Sequence, residues 1–557
     1  MQHPASRPDL QARVSFCCAA TLARLFAALA CVALGGAGCS RHTTAVDEGN
    51  RTQTLHVGNN GEPSELDPHV INASPDYQII PALFEGLLNA DPNTMAPLPG
   101  VAERWETSAD GLAYTFHLRA NARWSNGDPL TAEDFLYSFR RVLSPALASQ
   151  YTFLFHAVRG ADAFAAGKLT EFSAVGFASP DPHILVVTLA RPTPYFLGIV
   201  SSNAVWYPVH RATIERHGRI DQRGTGWTRP GNFVGNGPFV LKEWRPNQVI
   251  VVEKSPTYWD AAHVRLNAVH FHAIDSPDTQ ELAFRSGQVH VTTRVPAAKA
   301  TAYLAARSPL LLRTPTLTSM FINVNTARPP LNDQRVRLAL ALALDRARFS
   351  ERIEPARMAP AYSIVPDGMP GYRSIVRLKE DVAAARALLT EAGFPNGTGF
   401  PPLELSSETS SPVELVQAIQ EAWRTNLGIR VSLVRREART HWDTMHLKQY
   451  DLALGAWNAD YADPSTFLDL WLGGGGWNFT NWSDAHYDEL VAIAGNETDP
   501  AARLKRLQVV ESRLTNEMPV IPLSFNRDVR LLQPSVHGWA TNSLQRPDYK
   551  SVWLAAP

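Results

Sequence analysis

An α/β fold divided among several domains is what this sequence predicts, and three observations predict it. Short β-rich runs alternate with runs of helical period from about residue 55 onward, 41 prolines and 34 glycines punctuate them throughout, and 557 residues exceed what one hydrophobic core organises. Two to four domains follow from that length. Hydrophobic residues make up 45% and charged residues 19%, which excludes a mostly disordered or collagen-like chain. A formal net charge of -1, with no long basic run, argues against nucleic acid as the main partner, because phosphate binding needs a basic surface. No segment repeats at a fixed period of 20 to 50 residues, which disfavours a solenoid or propeller.

The chain opens with a segment of a different kind. Arg7, Arg13 and Arg24 precede the apolar run "LFAALACVAL" and then "GGAGC", the pattern of a secretory signal over residues 1–38. That run is too short to span a membrane, and no later segment supplies the roughly 18 to 20 apolar residues a span needs. All four cysteines (Cys17, Cys18, Cys31, Cys39) fall in this leader, so the exported body is expected to carry no disulfide and to be held by its core. Residues 40–51, "SRHTTAVDEGNR", are polar and read as a tether, which with Cys39 makes a segment 39–51 between leader and body.

The elements beyond it follow from local pattern. "YTFHLRANARW" (114–124) alternates apolar and polar side chains as a half-buried strand does, "SNGD" turns the chain, and "TAEDFLYSFRRVL" (131–143) opens a helix with Thr131 as N-cap and Asp134 three residues on. "VRLALALALDRARF" (336–349) reads as one mostly buried helix and "DVAAARALLTEAGF" (381–394) as an amphipathic helix ending at Gly393. "ELVQAIQEAWRTNLGIRVSLVRRE" (414–437) reads as helix, glycine turn, strand.

A search for catalytic or metal motifs returns little. There is no G-x-S-x-G, no H-E-x-x-H and no paired C-x-x-C, so an enzyme is not expected and no cofactor is implied. "GADAFAAGKL" (160–169) is one residue too long for a phosphate loop and ends in Leu169 where a hydroxyl would hold magnesium. His270 and His272 share one face of a strand and could ligate a metal or simply pack, with no third ligand evident nearby. The carboxylates of "GAWNADYADPSTF" (455–467) are unusual in a segment built like a buried strand and turn. From the residues alone, Asp460 either caps a turn before Pro464 or meets a ligand charge.

Several stretches together resemble the peptide-binding members of the extracytoplasmic solute-binding proteins, family 5, that serve ABC importers, most similar to the oligopeptide- and murein-peptide-binding proteins. They are "NNGEPSELDPH" (59–69), "LFEGLL" (83–88), "GVAERWETSADGLAYTFHLRANARWSNGDPLTAEDFLYSF" (100–139), "NGPFVLKEW" (236–244), "SPTYWD" (255–260), "LNDQRVRLALALALDR" (331–346), "LLTEAGF" (388–394) and "ADYADPSTF" (459–467). The resemblance implies a two-lobed periplasmic-binding-protein-like fold of type II with an extra inserted domain and a hinge between lobes. Its first domain would combine 52–83, 209–311 and 528–557, the inserted domain would be 84–208, and the second lobe 312–527. It implies a monomeric receptor that binds oligopeptides between its lobes and docks on ABC transporter permease subunits. A non-peptide solute, such as nickel or haem, is the alternative within the same superfamily.

The same resemblance assigns residues. Asp460 matches the position that meets the peptide α-ammonium. Ala456, Trp457 and Asn458 match the strand pairing with the peptide main chain from one side, and Asn72, Ala73 and Ser74 the segment pairing from the other. His446 is the one retained position among those meeting peptide carboxyl termini. The others carry Pro412, Met445 and Leu454 where cations stand in the family, so the cation is either lost or relocated to Arg435, Arg436 or Arg439. Cys39 resembles a bacterial lipoprotein cleavage site, although Gly36 stands where that pattern prefers Leu. Lipidation would anchor the protein to the inner or outer membrane in the periplasm, or at the cell surface; ordinary signal cleavage nearby is the other possibility.

Overall fold

The computed structural model describes residues 43–540 and 542–556; Cys39 and the leader lie outside the described residues. Three larger sheets, beside two of two strands each, organise these residues. The first has five strands, with Thr54–Asn59 lying between parallel neighbours Ala268–Ala273 and Val291–Thr292 and the hairpin Phe239–Arg245/Val249–Lys254 completing it. Leu55, Val57, Val252, Val269 and Phe271 of this sheet pack with Ile79, Ile80 and Leu83 of helix Ser74–Leu83.

The second sheet is a four-stranded antiparallel one, Ala102–Thr107, Ala113–Leu118, Ile184–Thr188 and Phe177–Asp181. Strand Ala113–Leu118 alternates as expected, burying Tyr114, Phe116 and Leu118. Helix Ala132–Leu143 packs Phe135 and Phe139 into the same core beside Trp124, Phe155 and Trp206. Asp134 reaches back to the Thr131 N–H at 2.8 Å, which fixes the helix start.

The third sheet carries the site. Its order is Met358–Pro360, Val520–Leu531, Leu311–Val324, Leu452–Asn458, Leu403–Glu408, Val431–Arg436. The two long central strands are antiparallel and paired at both ends, Leu311–Pro315 against Arg527–Leu531 and Ser319–Asn323 against Val520–Phe525, with the register broken between Pro315 and Ser319. At one end Val529 and Leu531 pack with Ala283, Phe284 and Val289, and the Leu531 N–H donates to the Thr292 hydroxyl at 2.9 Å. At the other, Ile322, Val324, Ile521 and Leu523 belong to the core under the third sheet. The first and third sheets are thereby joined by a two-strand crossing.

Two expectations are corrected. Residues 336–349 are not one helix but two, Gln334–Leu342 and Arg346–Arg352, because Asp345 accepts from the Arg348 N–H and starts a second helix in another direction. The polar stretch 40–51 is not wholly a tether: Ala45–Thr52 is a helix with a reciprocal Thr44/Asp47 cap, and its Val46, Gly49 and Asn50 are buried against the first sheet. Polarity misled there because Asn50 spends its amide oxygen on buried His290 at 3.2 Å. Among the described residues no helix is long and apolar enough to cross a membrane.

A buried ion pair ties the second sheet's helix to the loop before Ser74–Leu83. Arg141 is fully buried and donates to Asp67 Oδ1 at 3.0 Å and to His69 Nδ1 at 2.9 Å, with a second short bond to Asp67 Oδ2. Burial alone would push the Asp67 carboxyl up, but the guanidinium overrides it and holds it below the ordinary range. Asp67→Ala leaves Arg141 charged and unpaired, so the first unfolding transition in urea should lose about 3–5 kcal/mol, and adding Arg141→Met should recover most of it.

Candidate functional site

The site begins with an incomplete ladder. Strand Leu452–Asn458 pairs along its whole length with Thr318–Val324, but on its other side it meets only Leu405 and Ser406, opposite Leu452 and Ala453. The ladder stops because buried His441 inserts between the strands, linking the Ser406 hydroxyl (3.0 Å) and the Leu454 carbonyl (2.8 Å). Backbone groups of a strand alternate in direction, and the Ala459 N–H donates to Leu317 of the paired side at 2.8 Å. Leu454, Ala456 and Asn458 therefore turn their N–H and C=O groups to the open side. Beyond Leu454 no strand among the described residues meets them.

Asp460 follows this open edge directly. It is half-buried, and among the described residues no donor lies on its carboxylate. Burial pushes its pKa up to about 7, against the opposing pull of Arg546. Only its N–H is engaged, donating to the Thr466 hydroxyl at 3.2 Å. Arg546 also stacks over Tyr77 at 5.1 Å, and Tyr77 feels the Asp460 charge, so these groups of helix Ser74–Leu83 and the C-terminal segment face the carboxylate. Asp463 has a structural task instead: it binds Arg503 through both oxygens at 2.6 and 2.8 Å and caps the turn at Ser465.

Asn72 and Ala73 approach from the side of Tyr77. Tyr77 packs its hydroxyl 3.5 Å from the Ile71 carbonyl, and Asn72 is exposed with its amide on Gln150 at 3.2 Å. Ala73 is extended, whereas Ser74 opens the helix, so only the first two of the three form an extended segment. Buried Asp76 holds them there by accepting from the Ala73 N–H and from both the N–H and hydroxyl of Ser64. The Asn458 side chain is not free: its oxygen accepts from the Thr318 hydroxyl at 2.7 Å.

Trp457 walls two hollows. One, of about 210 Å³, is bounded by Asp460, Tyr461, Asp469, Tyr195, Arg191 and Trp477 among others. The other is a narrow cleft among Phe321, Trp442, Ala456, Trp471 and Phe479. Trp457 meets Trp477 edge-on at 5.1 Å, and its indole N–H finds no acceptor among the described residues. His446 lies at the rim, packed on Phe479 at 4.7 Å and bonded to the Trp442 carbonyl of its own helix. Met445 and Leu454 are buried and Pro412 starts helix Val413–Leu427, so none of these three presents charge. Arg435 is spent on the Thr409 and Ser411 carbonyls and Arg436 on Glu404 at 2.9 Å; Arg439 is exposed.

His270 and His272 lie elsewhere, under helix Ala45–Thr52. They cluster with His56 and His290, and burial followed by neighbouring imidazoles holds His56 down to about 3 and His272 to about 4. Among the described residues no three His, Cys, Asp or Glu are grouped to hold a metal ion.

The sequence reading missed Tyr195, Tyr461 and Asp469. Tyr195 of the second sheet's domain stacks on Tyr461 at 5.2 Å and 7°, closing the hollow from the far side. Asp469 carried a legible signal, a carboxylate inside the apolar run "FLDLWL" (467–472).

Comparison with known proteins supplies context for this geometry. Residues 96–479 match the family described as bacterial extracellular solute-binding proteins, family 5. The chain is 34% identical over 503 residues to the periplasmic oligopeptide-binding protein OppA of Escherichia coli, covering 87% of this chain and 90% of that protein. It is 32% identical over 513 residues to the probable deoxycholate-binding periplasmic protein YgiS of the same organism, covering 90% and 94%. The unliganded open form of the periplasmic murein tripeptide-binding protein MppA superposes with a TM-score of 0.77 at 30% identity, covering 90% of this chain and 97% of that one.

The raised Asp460 pKa has a measurable consequence. Because its folded value lies above the value of an unfolded chain, its stabilising contribution is full below about pH 4 and is lost as pH rises through about 7. Without ligand, the unfolding free energy of wild type should fall relative to Asp460→Asn between pH 4 and pH 8 by on the order of 2–4 kcal/mol, read from parallel denaturant titrations.

Proposed function

This chain belongs to the bacterial extracellular solute-binding proteins of family 5, and from that premise we propose that it captures oligopeptides between two lobes and hands them to the permease of an ABC importer. One observation carries the reading: an open strand edge at Ala456 and Asn458 that runs into an unpartnered, desolvated carboxylate at Asp460. An extended peptide offers what both lack. Its main chain completes the ladder as an added strand, independent of side-chain identity, and its α-ammonium meets the carboxylate. Asn72, Ala73 and Ser74 would face the peptide from the opposite lobe, Trp457 would wall a side-chain pocket, and His446 would lie toward the carboxyl end. The chemistry asked of these groups is recognition, with no bond made or broken.

In this reading the first domain comprises 52–83, 209–311 and 528–557, the inserted domain 84–208 and the second lobe 312–527. The strands Leu311–Val324 and Val520–Leu531 would be the hinge, with the break between Pro315 and Ser319 giving the place to bend. Residues 1–38 would be the leader and Cys39 the lipid-bearing first residue of a periplasmic or surface receptor. Cys39→Ser should then leave an unacylated, unprocessed or differently cleaved product, whereas wild type partitions into detergent; wild-type protein without an acyl mass increment overturns this part.

A non-peptide solute is the second reading, favoured by the aromatic walls of the narrow cleft and by the relative named for deoxycholate. Calorimetry separates the two. Asp460→Asn should lose roughly 2–5 kcal/mol of affinity for a tripeptide with a free N-terminus, and wild type should lose as much when that terminus is acetylated. Equal affinity for free and acetylated peptides, or binding of deoxycholate but no peptide, overturns the peptide reading.

A further inference from the structure

The hollow beside Asp460 holds a second carboxylate. Asp469 begins the short turn Asp469–Trp471, between fully or largely buried Leu468 and Leu470, and lines the same 210 Å³ space. That space has room for about seven waters at about 30 Å³ each. Asp469 is half-buried, and burial pushes its pKa up to about 7, with the Asp463 charge adding to the shift. Among the described residues no donor lies on its carboxylate oxygens and no cation stands within 4.0 Å.

The neighbouring cations do not answer it. Arg503 pulls on Asp469 less than Arg191 does: both its terminal nitrogens are committed to Asp463, and its guanidinium lies over the Tyr195 ring at 4.8 Å. Arg191 lowers the Asp469 pKa from a distance and is itself exposed. The rings of Tyr195, Tyr461, Trp457 and Trp477 line the same space as Asp460 and Asp469 and offer apolar surface to a methylene chain.

We infer that Asp469 is a specificity residue: it selects ligands whose first residue carries a positive side chain, a lysyl-type ammonium or a guanidinium. This rests on the peptide reading, with the α-ammonium at Asp460. The side chain of that first residue then runs along the aromatic walls and ends at Asp469. A cation delivered there fills a charge that the folded chain leaves unpaired, whereas a neutral side chain leaves it so.

The test is titration of the purified protein, wild type and Asp469→Asn, at pH 8 with three tripeptides of free N-terminus that differ only in the first residue: lysine, norleucine and Nε-acetyl-lysine. Wild type should favour the lysyl peptide over the other two by about ten- to a hundredfold. Asp469→Asn should erase that preference while binding the norleucine peptide at least as well as wild type, which also shows that the variant is folded. Equal affinity of wild type for lysyl and norleucyl peptides, or a preference that survives in Asp469→Asn, overturns the inference and leaves the peptide reading intact. Arg191→Ala is the companion variant: if Arg191 neutralises Asp469 on closure, lysine preference will be absent in wild type and emerge only in this variant, which also overturns the inference as stated. Absence of binding by all three peptides removes the peptide reading and this inference with it.

Discussion

Backbone pairing across the two long strands is the constraint on which the rest depends. Leu311–Val324 and Val520–Leu531 supply the ladder at both ends, and the residues between Pro315 and Ser319 must find partners elsewhere. They find them in particular places. The Leu317 N–H donates to the Ser543 carbonyl at 2.9 Å, the Leu317 carbonyl accepts from Ala459 at 2.8 Å, and the Thr316 hydroxyl donates to Asn526 at 3.0 Å. The break in the ladder is thus stitched to the residue preceding Asp460. The Thr318 hydroxyl reinforces that link by donating to the Asn458 side chain at 2.7 Å, so the crossing and the segment that carries the carboxylate are tied together.

Acidic groups away from solvent differ in what folding supplies: buried Asp76 is met by neutral donors, whereas others are met by a cation or by nothing. Asp67 and Asp463 are buried with an arginine bound through both nitrogens. Asp460 and Asp469 are half-buried with none, and both are pushed up to about 7. An unpaired half-buried carboxylate works against the unliganded fold, so its persistence beside an open strand edge is understandable where a ligand completes it.

Much of the fold was legible in local pattern. The cap at Thr131, the alternation at 113–118 and the glycine turn at Gly428, whose φ of 72° suits a residue without Cβ, all follow from short-range rules. What misled were places where particular side-chain bonds overrode composition: Asp345 capping a new helix inside an apolar helical run, and His290 donating to the Asn50 amide oxygen so that a polar stretch could dock. At the site, Asp460 stood out because a charge sat in a buried-looking strand and turn. The open edge did not, since it exists only because His441 interrupts a ladder whose strands are far apart in sequence. Asp469 was visible in principle as a charge within an apolar run, but its meaning depends on Tyr195, 266 residues before Tyr461 in sequence, arriving to stack on it.

The docked helix Ala45–Thr52 has a mechanical consequence. Its cap holds Thr44, and Gln53 just after it donates to the Leu554 carbonyl at 2.7 Å and accepts from the Leu554 N–H at 3.1 Å. The two chain termini of the body are therefore fastened to the same edge. Were residue 39 fixed in a bilayer, the five links up to Thr44 could span at most about 18 Å whatever their conformation, against about 43 Å for the twelve links to residue 51. A leash that short restricts height above the surface and tilt alike, so the body would sweep a shallow disc and meet a partner in that bilayer at a correspondingly high effective concentration.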